Sequence, residues 1–600
     1  MVHPRRLEPK PRRLRVGVNR IIYRMLRDVG KSIRPTLDHS QSVITTIIIS
    51  LSIYKHERCN EASMTPTQFA AATNRAIDHL HKFGDTDLFP SLPEMQCYVD
   101  EKVEVSKELS NLSPGNYHPI SCIETLTPKG QLGFRIAHQL SASDNIVYLA
   151  ATIASAQQIE SYRQDKDNNR SFAYRFEEGE SSRLFETGRS FHDWINYIIS
   201  FGKDGISPFE VNNFGITTDI SDFYQRIYFH RIENMLADCE CPPKAASFIK
   251  KLIQKARAKQ SFGIPVGTNA SRIIAEAILS DTDTLLERQG LPATRYVDDF
   301  RILVKNEKEA HSVLCQLAEH LMVTEGLSLN TSKTRIQPIS DLRKSATKRL
   351  DDAFTSKELL EIEEFLRIEY GESEPEEPED FEADVSKNAF MTSDNLFEKM
   401  KELSTKDGTD LSIYKAILRA LRFLPDIDLK PLIDDHIGLL YYIPREFCLL
   451  IRAGLKKDPE QIPYTKEALL KALRSSPFSD LTFVRAWVID LFVRGPINPN
   501  PADFADYDFN RSIYEKRYSL FLKGLFNDRA YFRAQRTGFS QFGEWEKPAV
   551  LIGAMCLPKD EYCTWIDSIS DEIPGSFPKI FGKWLKEKHG TLSEIIQDKV

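Results

Sequence analysis

The apolar positions divide the chain into a mixed first part and a helical last part. In the first part, Phe214, Ile216 and Thr218 alternate as in a half-buried strand, and helix-like spacing follows them. Beyond residues 369–384 the three-and-four spacing of amphipathic helices recurs, as in LSIYKAILRALRFL and LTFVRAWVIDLFV. The stretch 369–384 contains nine acidic residues, two prolines and no basic residue, so we expect a solvated linker there.

This pattern predicts an α/β plus α protein with four regions. Residues 1–115 form a basic arm and a helical extension, and residues 116–340 form the α/β region. A helix and the acidic linker occupy 341–385. The remaining residues, 386–600, are predicted to be stacked helical hairpins that resemble HEAT repeats.

The N-terminal arm is the one place where the charge pattern suggests a polyanionic partner. The net charge of the 600 residues is −7, but residues 1–34 are dense in arginine, with only Glu8 and Asp28 opposing them. Such an arm is either a solvated tail or an element that contacts phosphate, and the sequence leaves both open.

Composition places the chain among ordinary globular proteins, with 41% hydrophobic and 28% charged residues. The apolar run at 42–54 contains Ser and Thr and is too short to span a bilayer, so we expect a buried helix. No secretory signal is evident. The nine cysteines are scattered, and no zinc-finger spacing surrounds Cys239 and Cys241, which predicts reduced thiols in the cytoplasm.

Two adjacent carboxylates interrupt the β-branched stretch ATRYVDDFRILV at 293–304. Asp298 and Asp299 either form a purely structural turn between two strands or hold a divalent cation at a hairpin tip. Asp219 ends the alternating strand upstream and would complete a cluster of three carboxylates. Such a cluster stays ionised only with cations between its members, so we predict two Mg²⁺ ions, with Mn²⁺ as the substitute ion.

A glycine turn lies between these two motifs, in QSFGIPVGTNASRIIAEAIL at 260–279. It is either a loop that caps the following helix or a backbone segment, around Gly267, that a nucleotide or template strand approaches closely. The basic helix at 250–260 leads into it, as a solvated face or as one that follows phosphates.

Together these residues resemble the consecutive motifs of a reverse transcriptase, over about residues 120–340. In chain order, the matching segments are TPKGQLGFRIAHQLSASDNIVYLAA at 127–151, DISDFY at 219–224, the GIPVG turn with Ser271, YVDD, and GLSLNTSKT at 326–334. The resemblance implies fingers and a ferredoxin-like βαββαβ palm within 116–340.

The resemblance also implies roles at the carboxylates. Asp219 and Asp298 would ligate both metal ions, with Asp299 beside them and the Ile220 carbonyl as an additional ligand. Lys333 resembles the lysine that protonates pyrophosphate, although a surface lysine is an equal alternative.

Further residues would bind the nucleotide. Lys129 and Arg135 resemble the fingers residues that grip the triphosphate. Tyr224 resembles the aromatic residue that excludes a 2′-hydroxyl, which implies dNTP substrates; the alternative is a packed core aromatic. Gly267 would lie in the turn that approaches the nucleotide.

Two residues differ from the usual reverse-transcriptase pattern and indicate a particular subfamily. Val266 stands where the usual turn has Gln, and Arg272 stands where it has Pro. With the long helical C-terminal part, these features resemble bacterial antiphage-defence reverse transcriptases of the abortive-infection and unknown-group type.

That subfamily implies template-independent DNA synthesis primed by a protein hydroxyl, usually a tyrosine, and a homo-oligomer. The single-stranded DNA product would then be covalently attached to protein, and the basic, aromatic segment at 510–536 would guide it. The first alternative is templated cDNA synthesis on an associated non-coding RNA. The second is a non-catalytic scaffold that senses nucleic acid or a phage protein.

Overall fold

The computed structural model describes residues 65–84, 88–130, 133–179, 181–200, 213–257, 260–367, 390–405 and 410–596. The arginine-rich arm, the apolar run at 42–54 and the acidic stretch at 369–384 lie outside the described residues.

A four-stranded antiparallel sheet forms the centre of the α/β region. Its strands are β3 Phe214–Asp219, β4 Ala293–Tyr296, β5 Asp299–Val304 and β6 Arg335–Pro338. Their order across the sheet is β4-β5-β3-β6, and every neighbouring pair is antiparallel. Helices connect β3 to β4 and β5 to β6, so the connectivity is βαββαβ. Ile216 faces both Ile302 and Ile336 and is fully buried, so the alternating apolar positions form the inner face as their period predicts.

A two-stranded antiparallel hairpin, β1 Ile123–Lys129 and β2 Gly133–Gln139, precedes this sheet. The helices of the first part are α1 Pro66–Phe83, α2 Met95–Asp100, α3 Lys102–Asn111, α4 Ala142–Tyr162, α5 Phe191–Ser200, α6 Phe223–Arg226, α7 Phe229–Asp238, α8 Pro243–Ala256, α9 Asn269–Ile278, α10 Ser280–Arg288, α11 Glu307–His320, α12 Ile339–Ala353 and α13 Ser356–Arg367. One π-helical turn, Leu321–Glu325, follows α11.

Helix α9 runs through the interior, because all ten of its residues are buried. The Thr268 side chain caps it by accepting a hydrogen bond from the Ser271 N–H, which satisfies one of the free donors of the first turn. Helix α4 follows β2 and contacts α9, α1 and α8.

The last part is largely helical, as the sequence predicts. Its helices are α14 Ser393–Ser404, α15 Leu411–Phe423, α16 Lys430–His436, α17 Leu439–Tyr442, α18 Pro444–Lys457, α19 Ile462–Arg474, α20 Thr482–Val493, α21 Ile513–Leu525, α22 Arg529–Gln535, α23 Glu546–Gly553, α24 Lys559–Ser568, α25 Pro578–Glu587 and α26 Leu592–Ile596. Helices α15, α18, α20, α21 and α23 each pack on the next, and α20 is buried from Phe483 to Val493. Among the helices of the described ranges, none combines the length and apolarity that a bilayer crossing requires.

The helical part is fastened to the N-terminal part by buried polar contacts. Arg517 of α21 donates through one nitrogen, Nη2, to both carboxylate oxygens of Glu94, at 2.9 and 2.8 Å, and both side chains are buried. Three indole N–H groups also donate across this junction, Trp487 to the Leu88 carbonyl at 2.7 Å, Trp545 to the Ser121 carbonyl at 2.7 Å and Trp584 to the Asp100 carboxylate at 2.9 Å. Helices α17 and α20 contact β1 directly.

Candidate active site

The three predicted carboxylates meet at one edge of the sheet. Asp219 is the last residue of β3 and lies directly across from Asp299, the first residue of β5. The Ile220 N–H donates to the Asp298 carbonyl at 3.2 Å, which fixes the hairpin tip beside the end of β3. The antiparallel register therefore brings together residues that are about eighty positions apart in sequence.

The hairpin tip is a two-residue turn, formed by Val297 and Asp298, between Tyr296 and Asp299. The sequence predicts a hairpin here but places its turn one residue later, at Asp298 and Asp299. Val297 has a φ of 56°, in the left-handed region that β-branched residues rarely adopt. Such a backbone is maintained only when its surroundings hold it in place. Here the Arg295 guanidinium donates to the Val297 carbonyl at 2.8 Å and so stabilises the turn.

Arg295 is the centre of a buried ionic network that is not among the features predicted from the sequence. It is 1% exposed and binds the Asp283 carboxylate through two nitrogens, at 2.9 and 2.8 Å. It also binds the Glu276 carboxylate at 2.7 Å, and Arg163 binds the same carboxylate oxygen at 3.0 Å. Burial acts to lower the pKa of Arg295, but the two carboxylates outweigh it and raise that pKa. The feature that could have revealed the network is Glu276 itself, an acid within the apolar run from Ile273 to Leu279.

The electrostatics of the carboxylate cluster suit a divalent cation. The pKa of Asp298 is raised to about 7, first by burial and then by the charge of Asp219, with Asp299 adding to it. One buried oxygen of Asp219, Oδ1, accepts no hydrogen bond within the described part of the chain. Like charges that face one another and an unsatisfied carboxylate oxygen are what a bound cation would neutralise. The residues present therefore fit the predicted metal ions.

Two cations already contact this cluster. Lys333 donates to Asp219 Oδ2, and Arg301 donates to the Asp299 carboxylate. Burial lowers the pKa of Lys333, but the hydrogen bond and charge of Asp219 outweigh it, so the net shift is upward. The structure thus places the ammonium group of Lys333 directly at the carboxylates.

Lys129 and Arg135 lie on one face of the β1–β2 hairpin. Arg135 is the register partner of Thr127, two residues before Lys129, so the two cationic side chains share a face. Burial and the charge of Asp219 raise the pKa of Asp298, and the charge of Lys129 opposes them.

Tyr224 lies in α6, five residues after Asp219. Its side chain is partly buried, and burial raises the pKa of its hydroxyl, with the charge of Asp298 among the further causes. The Tyr224 carbonyl accepts the Ile264 N–H at 2.9 Å, which joins helix α6 to the glycine turn. Gly267 ends that turn with a φ of 114°, a conformation that favours glycine.

His138 of β2 fixes the position of this turn. Its backbone N–H donates to the Val266 carbonyl at 3.1 Å, and the Val266 N–H donates back to His138 Nδ1 at 3.0 Å. Burial, followed by the charge of Arg257, lowers the pKa of His138 to about 3. His138, Cys122 and Glu124 lie close enough to resemble a metal site. However, Arg257 Nη1 lies 3.2 Å from Glu124 Oε1 and 2.6 Å from His138 Nε2, so a cation already fills that position.

Three arginines of the segment predicted to guide a DNA product, 510–536, lie in and just after α22. Arg533 and Arg536 both pair with Glu561, at 3.0 and 2.8 Å, and Arg529 donates to the Cys556 carbonyl at 2.8 Å. Their charges are therefore partly neutralised by groups of the helical part itself.

Comparison with known families identifies the class to which this site belongs. Residues 168–348 match the family model "Reverse transcriptase (RNA-dependent DNA polymerase)". The chain therefore carries an RNA-directed DNA polymerase domain, and this family generally uses Mg²⁺. The match contains the carboxylates, Tyr224 and Lys333, and it begins after the β1–β2 hairpin.

Solved telomerases show a distant structural similarity. A C-terminally truncated apo telomerase from Candida tropicalis has 16% identity and a TM-score of 0.26, covering 36% of this chain and 50% of that one. Telomerase from Candida albicans with a fragment of telomeric RNA has 11% identity and a TM-score of 0.29, covering 62% and 66%. The Candida tropicalis enzyme with such a fragment has 12% identity and a TM-score of 0.30, covering 68% and 71%. The chain thus spans half of the first relative and about two thirds of the second. A comparison with curated proteins finds no match.

Proposed function

We propose that this protein is an antiphage-defence DNA polymerase that adds dNTPs by two-metal nucleotidyl transfer, without a template and from a protein primer. The observation that carries the catalytic part is the convergence of Asp219, Asp298 and Asp299 at one sheet edge, with like charges facing one another. Three carboxylates so placed are costly to keep unless cations bind between them.

Asp219 and Asp298 would hold both ions, with Asp299 and the Ile220 carbonyl beside them. When bound, two Mg²⁺ or Mn²⁺ ions make the attacking hydroxyl more acidic and neutralise the triphosphate and the departing pyrophosphate. Arg301 would keep Asp299 oriented through its ion pair.

The cationic side chains would act on the phosphates. Lys129 and Arg135 extend from the same face of the hairpin, where an ammonium and a guanidinium would bind triphosphate oxygens. Lys333 contacts Asp219 and would move to the pyrophosphate, whose leaving oxygen it can protonate. The reaction joins the hydroxyl oxygen to the α-phosphorus, breaks the α–β phosphate bond and leaves the hydroxyl proton with solvent or a nearby base.

Tyr224 would select the sugar. Its side chain is partly buried, and its carbonyl accepts the Ile264 N–H of the glycine turn, so its ring would border the space that a bound nucleotide fills. The 2′-hydroxyl of an NTP would clash with the ring, so dNTPs would be preferred. The βαββαβ connectivity and the strand order support a ferredoxin-like palm as the support of this site.

The finer parts of the proposal are supported by the turn and by the helical part. Val266 presents no side-chain amide to a template base, and His138 holds its backbone in place. Helices α15, α18, α20, α21 and α23, packed in succession, support a HEAT-like stack. Templated synthesis on a non-coding RNA is the alternative that the same site would serve.

The test is incubation of purified protein with Mg²⁺ and labelled dNTPs, without added nucleic acid. DNA attached to protein supports the proposal, and DNA made only in the presence of co-purified RNA supports the templated alternative. No product with either metal or any dNTP would refute polymerase activity and favour the scaffold hypothesis.

Paired variants make this test specific. Asp298→Asn keeps the shape of the side chain but removes the charge, so product should disappear. Asp222→Asn is the matched control, because Asp222 is exposed and its φ of 49° is one that Asn adopts readily. Equal loss in both variants would argue against a specific role for Asp298.

A further inference from the structure

An exposed aromatic pair lies next to the candidate active site. After Tyr224 the chain runs beside the segment that enters the glycine turn. The Gly263 N–H donates to the Ile227 carbonyl at 2.7 Å, and the Phe229 N–H donates to the Ser261 carbonyl at 3.1 Å. Between these bonds Tyr228 and Phe262 form an antiparallel bridge.

Both rings of this pair are open to solvent. Tyr228 is 47% exposed and Phe262 is 38% exposed, and their centroids are 6.4 Å apart with the planes at 67°. Tyr228 rests on Gly326, where an added Cβ would lie 2.1 Å from Cε2 of the ring. A side chain at position 326 would therefore displace the Tyr228 ring.

The backbone beneath the rings is held in place. Arg257 is buried, and its Nε donates to the Phe262 carbonyl at 3.4 Å while Nη1 binds Glu124 at 3.2 Å. Because the main chain is fixed from both sides, the exposure of the Phe262 ring is built into the local fold. An exposed, preorganised aromatic surface loses little conformational entropy when a ligand binds.

Cationic side chains lie close to the pair in the chain. Helix α8, which ends just before Arg257, contains four lysines; Lys244 and Lys251 donate to carbonyls of other segments, and Lys250 lies 3.8 Å from Glu233. Lys255, in its last turn, is exposed. Arg226 and His230, on either side of Tyr228 in the chain, are also exposed, although Asp222 lies 3.8 Å from Arg226 and Glu233 lies 2.9 Å from His230.

We propose that Tyr228 and Phe262 form a stacking platform for the bases of single-stranded DNA at the polymerase site. This inference rests on the proposed function, since that strand would be its product. Aromatic faces bind bases without regard to sequence, and the exposed Arg226 and Lys255 would bind phosphates, which suits untemplated DNA. The pair follows the proposed sugar-selecting Tyr224 by four residues, so a strand on the platform lies next to the reaction site.

The experiment measures binding apart from catalysis. A fluorescent 20-nucleotide oligo(dT) is titrated with the full-length protein in EDTA, without dNTPs, and anisotropy gives the Kd. Replacing both rings by leucine, Tyr228→Leu with Phe262→Leu, keeps apolar volume but removes stacking. We expect binding to weaken about 10- to 100-fold, while the dependence on salt stays the same because the phosphate contacts remain.

Two further variants control for folding and for general aromatic loss. Tyr228→Phe with Phe262→Tyr keeps both rings and should bind like the unchanged protein. Tyr464→Leu removes another exposed ring, 41% exposed in the helical part, and should leave the Kd unchanged. Comparable thermal unfolding of all variants shows that the platform change is local.

Several results would overturn the proposal. They are an unchanged Kd in the double leucine variant, equal weakening by Tyr464→Leu, or an effect on oligo(U) RNA but not on oligo(dT). Failure of the proposed function is separately visible, because it appears as absent dNTP incorporation by the unchanged protein, whatever the binding results.

Discussion

Replacing Arg295 by Met should destabilise the protein and also disturb the turn between β4 and β5. Methionine keeps the apolar stem of the side chain but loses the guanidinium that binds Asp283, Glu276 and the Val297 carbonyl. Asp283 then loses its two-pronged partner while 1% exposed, whereas Glu276 keeps Arg163 at 3.0 Å. The cost is therefore dominated by one buried, unpaired carboxylate.

Breaking a buried ion pair from one side costs about 3–5 kcal/mol, a large part of a typical stability of about 5–15 kcal/mol. Urea unfolding followed by circular dichroism measures the change, and dNTP incorporation measures the effect on the turn. Adding Asp283→Asn to Arg295→Met should recover part of the lost stability, because no unpaired charge is then left at that position.

The matched control is Arg367→Met. Arg367 is half exposed and pairs with Glu363 at 2.8 Å and Asp193 at 3.5 Å, so its loss should cost about 0–1 kcal/mol. If Arg295→Met costs no more than this control, or if the double variant is as unstable as the single one, the buried network does not hold the turn as described.

Three other changes test different parts of the molecule. The raised pKa of Asp298, about 7 against an ordinary 3.8, means that the folded, metal-free protein holds this proton more tightly than the unfolded chain. The stabilisation from the Asp298 proton is thus full below about pH 4 and lost as pH rises through 7. In EDTA, the urea midpoint should therefore decline between pH 5 and 8, and Asp298→Asn should make this decline smaller. An unchanged dependence of the midpoint on pH would contradict this. Tyr224→Ala should raise the ratio of NTP to dNTP incorporation in single-nucleotide addition, and an unchanged ratio at full activity would assign Tyr224 to the core. Ending the chain at residue 385 should give an aggregating fragment, since Glu94 loses Arg517 in a buried position, and a soluble, active fragment would refute the structural role of the helical part.

The carboxylate site could be predicted because its information is local. Asp219 ends an alternating strand, and the Asp298–Asp299 pair interrupts a β-branched stretch, so each position is marked by its own neighbours in sequence. The structure places the three side chains at one sheet edge, with Asp219 and Asp299 in register. Their metal-binding roles remain part of the proposal.

The supports of the site could not be predicted in this way. The partners of Arg295 lie on α9 and α10, and which acid meets which base depends on how those helices pack. The link from His138 to Val266 uses backbone groups, which every residue possesses. The contacts of the helical part are similar, because Trp545 donates to a main-chain carbonyl, for which no residue type is diagnostic.

The polar contacts that fasten the helical part also determine the order in which this chain can complete its fold during synthesis. Glu94 can pair with Arg517 only after 423 more residues are synthesised, and Asp100 can bind Trp584 only after 484 more. At about 5–20 residues per second, the ribosome needs roughly 20–85 s to bridge the shorter interval. Throughout that time the N-terminal helices are on the nascent chain without the partners that cover them. Chaperones that shield this surface would therefore act on the first part of the chain until translation is nearly complete.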